Sequence, residues 1–250
     1  MLTFFPYIVL FLFGIVFGSF LNVCIYRIPK KESIVTVKSH CMNCGYNLKW
    51  YDLVPLLSYI FLGGKCRKCR TKLSPQYPIV EAANGVLWCM VYAVYGFSPL
   101  TLLFCALFSC LLALSVIDFR TYEIPVGFNI FILILGIIRL ALDYRNFSYY
   151  LIGFVCVSGF LFIIYLVTKG RGIGGGDIKL MAASGLLLGW KLIILSFMIG
   201  CILGAVIHVI RMKVSNEDHV LAMGPYLSMG ICIAVLFGQR FLDFYFSYFS

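Results

Sequence analysis

Long runs of apolar residues, hardly interrupted by charge, make up most of this chain. Hydrophobic residues account for 62% of its 250 residues and charged residues for only 12%, against roughly a quarter charged in a soluble domain. Eight runs reach or approach the roughly 20 residues that a helix needs to cross a bilayer. We therefore predict an all-α polytopic membrane protein with about eight transmembrane helices. The predicted spans are 2–26, 79–97, 99–117, 124–142, 148–167, 177–189, 191–210 and 222–245.

The basic residues indicate how these spans are oriented. The first run, 2–26, has no basic residue before it and no small-residue cleavage site, so we expect a retained span and not a signal peptide. Eight spans put both termini outside, which leaves 16 of the 20 Lys and Arg residues in segments on the inner side. This asymmetry follows the positive-inside rule.

The net charge of +10 gives no reason to expect nucleic acid as a partner. Half of the basic residues lie in the single long loop 27–78, beside apolar spans, and do not form the basic face of a soluble domain. We expect this loop to contact anionic lipid headgroups at the cytoplasmic surface.

The same loop contains Cys41-Met-Asn-Cys44 and Cys66-Arg-Lys-Cys69. Two such pairs offer four thiolates in a tetrahedron, the arrangement that structural Zn²⁺ prefers. Two disulfides or free thiols are the alternatives, and a reducing cytoplasm disfavours disulfides. A loop of this size is too small for a good apolar core, so it needs such a staple. Four cysteine ligands leave no open position for a catalytic water, which makes the predicted zinc structural.

Two aspartates stand out at the ends of apolar runs. Asp118 closes the third predicted span and Asp177 opens the sixth, so the predicted topology places both at the cytoplasmic face. Two carboxyl groups that share one proton can act as general base and general acid on a peptide bond. We predict an intramembrane aspartic protease with this pair as its dyad, and Glu123 is the rival candidate for one position.

Three glycines, Gly174, Gly175 and Gly176, directly precede Asp177. Glycine permits unusual backbone angles and the close approach of another chain, so an extended substrate could lie against this segment. Alternatively, the glycines only interrupt a helix that Asp177 then caps. A further acid, Glu81, follows Pro78 at the start of the second predicted span, where we expect it to complement the helix dipole.

These motifs, taken together and in this order, resemble those of the type IV prepilin peptidases, also called leader peptidase/N-methyltransferases. The resemblance extends from Gly18 to about Leu227. Its pieces are GSFLNVCIYRIP (18–29), SHCMNCGYNLKWYDLVPLLSY (39–59), GKCRKC (64–69), YPIVE (77–81), the Ile117-Asp118 step, GGGDIKLMAASGLLLG (174–189) and MGPYL (223–227).

The resemblance implies an enzyme of the bacterial inner membrane that removes a short basic leader from prepilin-like precursors after a glycine, at the cytoplasmic face. It also implies methylation of the new N-terminus with S-adenosylmethionine. The catalytic aspartates of the family correspond to Asp118 and Asp177, and its zinc loop to the four cysteines. No Rossmann-type glycine loop identifies a methyl-donor site, and we assign no residues to one.

The expected division of the chain is a first span (1–26), a cytoplasmic zinc-binding loop associated with methyl transfer (27–78), and a peptidase core (79–250). Two alternatives stay open. One is a peptidase of the same fold without methyltransferase activity. The other is a proton-coupled transporter whose aspartates relay protons, although such a protein is expected to show inverted repeats and acids near the middle of the bilayer.

Overall fold

The computed structural model describes residues 4–214 and 221–249 as helices joined by loops, with two isolated β-bridges and no strand within those ranges. This confirms the predicted all-α class. Short 3₁₀ turns occur at Trp50–Asp52 and Tyr144–Asn146. The α-helices are α1 (Phe5–Arg27), α2 (Leu57–Phe61), α3 (Gln76–Tyr95), α4 (Pro99–Thr121), α5 (Val126–Leu142), α6 (Phe147–Val167), α7 (Gly175–Leu188), α8 (Trp190–Val214) and α9 (Gly224–Phe249).

Six of these helices, α1, α3, α4, α6, α8 and α9, are long and apolar enough to cross a membrane. The apolar helix α5 is shorter, with 17 residues, and α7 has only 14. At about 1.5 Å per residue, α7 rises about 21 Å, less than the roughly 30 Å of a hydrocarbon core. The structure thus forms a helix at each of the eight predicted positions, while the count of eight spans stays a prediction.

The chain divides into two compact units, 1–101 and 102–250. In the first, α1 packs on α3 through Gly14 and Gly18, which are four residues apart. A Cβ on Gly14 would lie 2.7 Å from the Cα of Gly85, and one on Gly18 would lie 2.7 Å from the Cα of Glu81. The buried amide of Asn84 donates to the carbonyl of Gly14 at 2.7 Å. Small residues at this spacing let helix backbones approach closely inside a membrane.

The second unit is arranged around α7, which packs on α5 and α6 and also contacts α8 and α9. Gly153 of α6 and Gly185 of α7 bring these two backbones so close that a Cβ on either glycine would collide with the other helix. Short as it is, α7 is largely buried from Leu180 to Leu188. Its neighbours therefore hold its first turn, which carries Asp177, in a fixed position.

Candidate active site and metal centre

Asp118 lies in the last turn of α4 and is only 4% exposed. The backbone N–H of Gly224 donates to its Oδ2 at 2.9 Å. Gly224 is the first residue of α9, and the N-terminus of a helix stabilises negative charge placed against it. Sequence reasoning did not assign Gly224 to the site, although the MGPYL motif at the start of a helix was a signal for it.

Asp177 is the third residue of α7, and its backbone N–H donates to the carbonyl of Gly174 at 3.1 Å. The charge of Asp118 acts electrostatically on the carboxyl group of Asp177. Helix α7 also contacts α9, whose first residue binds Asp118. Two carboxyl groups 59 residues apart in sequence are therefore brought together within one unit, and their catalytic role stays a prediction.

None of the three glycines before Asp177 has a positive φ, so backbone strain does not explain them. Close contacts with neighbouring side chains explain the glycine at two of these positions. A Cβ on Gly176 would lie 2.9 Å from the Cβ of Ile124, and one on Gly174 would lie 3.0 Å from Oδ2 of Asp177. A Cβ on Gly175 would meet no atom within 4 Å, which leaves space beside the aspartate. Their predicted contact with substrate stays a prediction.

Asn129 of α5 is a further residue that sequence reasoning missed. Its side chain is 5% exposed, and its Nδ2 donates to the carbonyl of Gly176 at 3.4 Å. Its Oδ1 is buried without a hydrogen-bond partner in the described part of the chain. A polar residue inside the apolar run 124–142 was the available signal. Asn129 is a positioning residue for the segment that carries Asp177.

The rival acid, Glu123, lies in the loop after α4 and is exposed. Asp118 is buried instead, and it alone accepts the hydrogen bond from α9. The geometry thus favours Asp118 as the partner of Asp177.

The expected role of Glu81 was wrong. Helix α3 begins at Gln76, earlier than predicted, so Glu81 is its sixth residue and has no place in the first turn. It is 6% exposed and packs beside Gly18 of α1. The helix starts early because Pro75 and Pro78 both fit at a helix N-terminus, where no hydrogen bond from the proline nitrogen is needed.

The four loop cysteines form a compact cluster, with all four Sγ atoms within 4.8 Å of one another. The Sγ atoms of Cys41 and Cys69 are 3.8 Å apart. A tetrahedral Zn²⁺ with Zn–S bonds of about 2.3 Å sets its sulfurs about 3.8 Å apart. The cluster can therefore hold a metal ion with no change of the fold.

Both cysteine pairs lie on the same kind of turn. In the first, the N–H of Gly45 donates to the carbonyl of Cys41 at 2.9 Å, and in the second the N–H of Arg70 donates to that of Cys66 at 3.0 Å. Gly45 has a φ of +67° and Arg70 one of +59°. Arg70 lacks the freedom of glycine, so its turn carries strain of about 1–2 kcal/mol.

Side-chain hydrogen bonds connect the two turns. Nδ2 of Asn43, from the first turn, donates to Oγ1 of Thr71, beside the second, at 2.7 Å. The hydrogen bonds of Cys69 with the side chain and backbone of Thr71, and then with Asn43, lower the pKa of the Cys69 thiol to about 5. A lowered pKa favours the thiolate, the form that binds metal.

Comparison with known proteins identifies two family models along the chain. The Bacterial Peptidase A24 N-terminal domain matches residues 12–95, and the Type IV leader peptidase family matches residues 105–209. Each match lies within one of the two structural units.

Several curated relatives carry the name prepilin leader peptidase/N-methyltransferase. The Bacillus subtilis (strain 168) protein is 32% identical over 242 residues, which cover 95% of this chain and 96% of that relative. The Burkholderia pseudomallei (strain 1026b) protein is 31% identical over 263 residues, covering 91% and 84%. The Legionella pneumophila protein is 30% identical over 277 residues, covering 98% and 96%. No solved structure matches the chain.

Proposed function

The chain belongs to the type IV leader peptidase family, and on that premise we propose that it removes the leader of prepilin-like precursors and then methylates the new N-terminus. Its relatives are named for both activities, and none of the comparisons supports a transporter. A multi-pass protein of the inner membrane fits the six long apolar helices. The observation that supports the peptidase is that Asp118 and Asp177, on separate helices, lie close enough for the charge of Asp118 to act on Asp177.

For hydrolysis, we assign Asp118 as the general base. The Gly224 N–H and the N-terminus of α9 both stabilise negative charge on its Oδ2. Asp118 takes a proton from water while the water oxygen bonds to the scissile carbonyl carbon. Asp177 holds its proton towards the carbonyl oxygen. The C–N bond then breaks, and the leaving nitrogen takes up, as the amine, the proton that Asp118 removed from water.

A prepilin precursor suits this position. Its basic leader stays in the cytoplasm while the apolar helix behind it enters the bilayer, which sets the scissile bond near the inner boundary. The eight-span topology puts the end of α4 and the start of α7 on that side, with both termini outside. The basic loop between α1 and α3 contacts anionic headgroups there.

In the second step, S-adenosylmethionine supplies the methyl group. The lone pair of the new N-terminal amine forms the N–C bond, the electrons of the broken C–S bond remain on sulfur, and the nitrogen releases a proton. A peptidase without this step is the alternative.

We assign structural zinc to Cys41, Cys44, Cys66 and Cys69. The sulfur spacing of 3.8 Å between Cys41 and Cys69 supports this metal, as does a ligand set made of thiolates alone. The zinc closes the loop and takes no part in hydrolysis.

The test is leader removal from a purified prepilin by wild type, Asp118→Asn and Asp177→Asn. Each substitution is nearly isosteric, so folding is retained while the cleavage rate falls at least about a hundredfold. Asp243→Asn, an exposed acid on α9, is the matched control and cuts normally. If either dyad variant cuts at the wild-type rate, that aspartate has no part in the chemistry. Labelled S-adenosylmethionine in the same assay separates the two-step enzyme from the peptidase.

A further inference from the structure

Two short turns between the cysteine pairs point apolar side chains away from the protein. The first is the 3₁₀ turn Trp50–Asp52 and the second is α2, and the two turns contact each other. Their exposed apolar side chains form one surface, the apolar face of the loop, which consists of Trp50, Leu53, Leu57, Ile60 and Phe61. Phe61 is the most exposed of them, at 84%. An exposed apolar cluster of this kind marks a surface that contacts a membrane or another protein.

The spacing of these residues and the contacts on the inner side explain why they point outward. In a 3₁₀ turn, residues three apart lie on one side, and Asp52 points inward instead, where it pairs with Arg67 at 2.7 Å. On α2, residues three and four apart lie on one face. On its opposite face Tyr59 lies against Gly64, and its hydroxyl donates to the carbonyl of Leu73 at 3.4 Å. These inner contacts hold the apolar face outward.

The loop returns towards the membrane-spanning helices of the first unit. The N–H of Leu56, directly before α2, donates to Oε2 of Glu81 at 2.8 Å. Glu81 packs beside Gly18, which lies nine residues before the end of α1, or about 13 Å along the helix. Because a glutamate side chain spans only a few ångströms, α2 begins on the membrane side of the end of α1. At this level α1 itself exposes the apolar side chains of Phe17 and Phe20.

The charges beside the apolar face favour lipid as its partner. Exposed Lys49 and Lys65 flank the face in sequence. The whole loop 27–78 has ten basic residues and only two acids, one of which, Asp52, is buried in an ion pair. An apolar face with basic side chains beside it is typical of segments that lie in the interface of an anionic bilayer. Tryptophan, here Trp50, is enriched at the same level of membrane proteins.

We propose that the apolar face of the loop inserts into the adjoining leaflet of the bilayer, with the flanking lysines at the level of the phospholipid headgroups. The inference goes beyond the proposed function and does not depend on leader cleavage. It adds a contact with acyl chains to the expected contact of the loop with headgroups. It also explains why the loop contains large apolar side chains that its cysteine cluster does not bury.

The experiment places a single tryptophan on the apolar face and measures its contact with lipid. Phe61→Trp is made in a full-length chain whose three native tryptophans are replaced with phenylalanine, and the protein is reconstituted into vesicles of phosphatidylcholine and phosphatidylglycerol. Acyl chains brominated near the headgroup are expected to quench its fluorescence by about half or more, because an interfacial segment lies about 5–10 Å into the boundary of headgroups and acyl chains. Chains brominated near their ends quench it less, and aqueous acrylamide quenches it little.

Val35→Trp in the same background is the matched control. Val35 belongs to the same loop and is as exposed as Phe61, at 85%. Its segment lies at the end of α1, where the guanidinium of Arg27 donates to the carbonyls of Ser33 and Val37. The tryptophan placed there is expected to be quenched by acrylamide and hardly by either brominated lipid.

Zinc content and melting temperature show whether each variant is folded. If the chain without native tryptophans does not fold, a photoreactive benzophenone amino acid at position 61 of the otherwise native chain gives the second readout. Irradiation in the same vesicles is then expected to attach phospholipid to the peptide that contains this position, and to attach none when the benzophenone replaces Val35.

Two results would overturn the inference. Equal quenching of the two tryptophans by acrylamide would show that the apolar face lies in water. Protection of the tryptophan at position 61 from both acrylamide and brominated lipid, or a benzophenone adduct with protein and not with phospholipid, would show that protein covers the face, for example a second copy of the chain. In either case the proposed peptidase and the zinc site stand, because neither needs this contact.

Discussion

Asp118 and Glu81 are both buried acids. Asp118 accepts a hydrogen bond from the backbone N–H of Gly224, and Glu81 accepts one from that of Leu56. The sequence identifies only the first of them as a functional residue. Asp118 ends an apolar run and belongs to a family motif, so sequence identifies it. Glu81 was taken for a helix-end residue because the start of α3 was placed three residues late. Asn129 and Gly224 were missed because each acts through one tertiary hydrogen bond, and residue type alone does not reveal such a contact.

Gly224→Ala is expected to slow leader cleavage about a hundredfold, the effect of moving a catalytic group by about 1 Å. The added Cβ would lie 2.6 Å from Oδ2 of Asp118, so the carboxylate must shift. The measurement is kcat on a purified prepilin, with circular dichroism to confirm the fold. Gly127→Ala, where a Cβ meets nothing within 4 Å, is the control. Unchanged kcat in Gly224→Ala would show that this contact does not set the geometry of Asp118.

Gly175 and Gly176 are expected to respond differently to alanine. Gly176→Ala forces Ile124 aside, since their Cβ atoms would be 2.9 Å apart, and such overpacking costs about 1–3 kcal/mol. Its melting temperature should fall. Gly175→Ala has space, so its melting temperature should stay constant while KM for prepilin rises if substrate lies against this segment. A normal KM for Gly175→Ala would remove Gly175 from the substrate site.

Among the elements, the long helices were predictable because an apolar run of about 20 residues has few alternatives to a membrane helix. The start of α3 was less predictable because prolines fit both a loop and a first helical turn. The cysteine loop was predictable in its ligands, and the matching turns at Gly45 and Arg70 follow from them. Its short helix α2 was not, because it begins directly after Leu56, whose positive φ of +59° the residue type does not predict.

Replacing Cys41 or Cys69 with serine is expected to reduce zinc from about one ion per chain to near zero, because each supplies one of four thiolates. Metal analysis of purified protein measures this, and limited proteolysis should show faster cutting between α1 and α3. Cys201→Ser, on α8 and outside the cluster, is the matched control. Full zinc in both cluster variants would exclude this site.

At the scale of the whole molecule, the sequence predicted a division at 78/79, on the basis of hydrophobicity. The structure groups α3 with α1 and begins the second unit at Leu102. The difference arises because α3 packs on α1 through glycine contacts that a hydropathy pattern does not reveal. The assignment of methyl transfer to the cysteine loop and of cleavage to the peptidase core stays a prediction.

The topology has its own test. Eight spans put Arg145 outside and Arg171 inside, and both side chains are exposed. In right-side-out membrane vesicles, a membrane-impermeant maleimide should label Arg145→Cys, and should label Arg171→Cys only after permeabilisation. Wild type gives the background from native cysteines. Labelling of both variants from outside would contradict the positive-inside assignment.

The partner of Asp118 is a main-chain group, and this affects how the position responds to substitution. No side-chain replacement except proline deletes a peptide N–H, so the other substitutions affect this contact only through the bulk that they add beside Asp118. A larger side chain at Gly224 is expected to lower the rate of leader cleavage. In a saturation mutational scan this position will therefore show a strict size limit and no chemical preference, a profile usually attributed to packing in an interior although here it protects an acid.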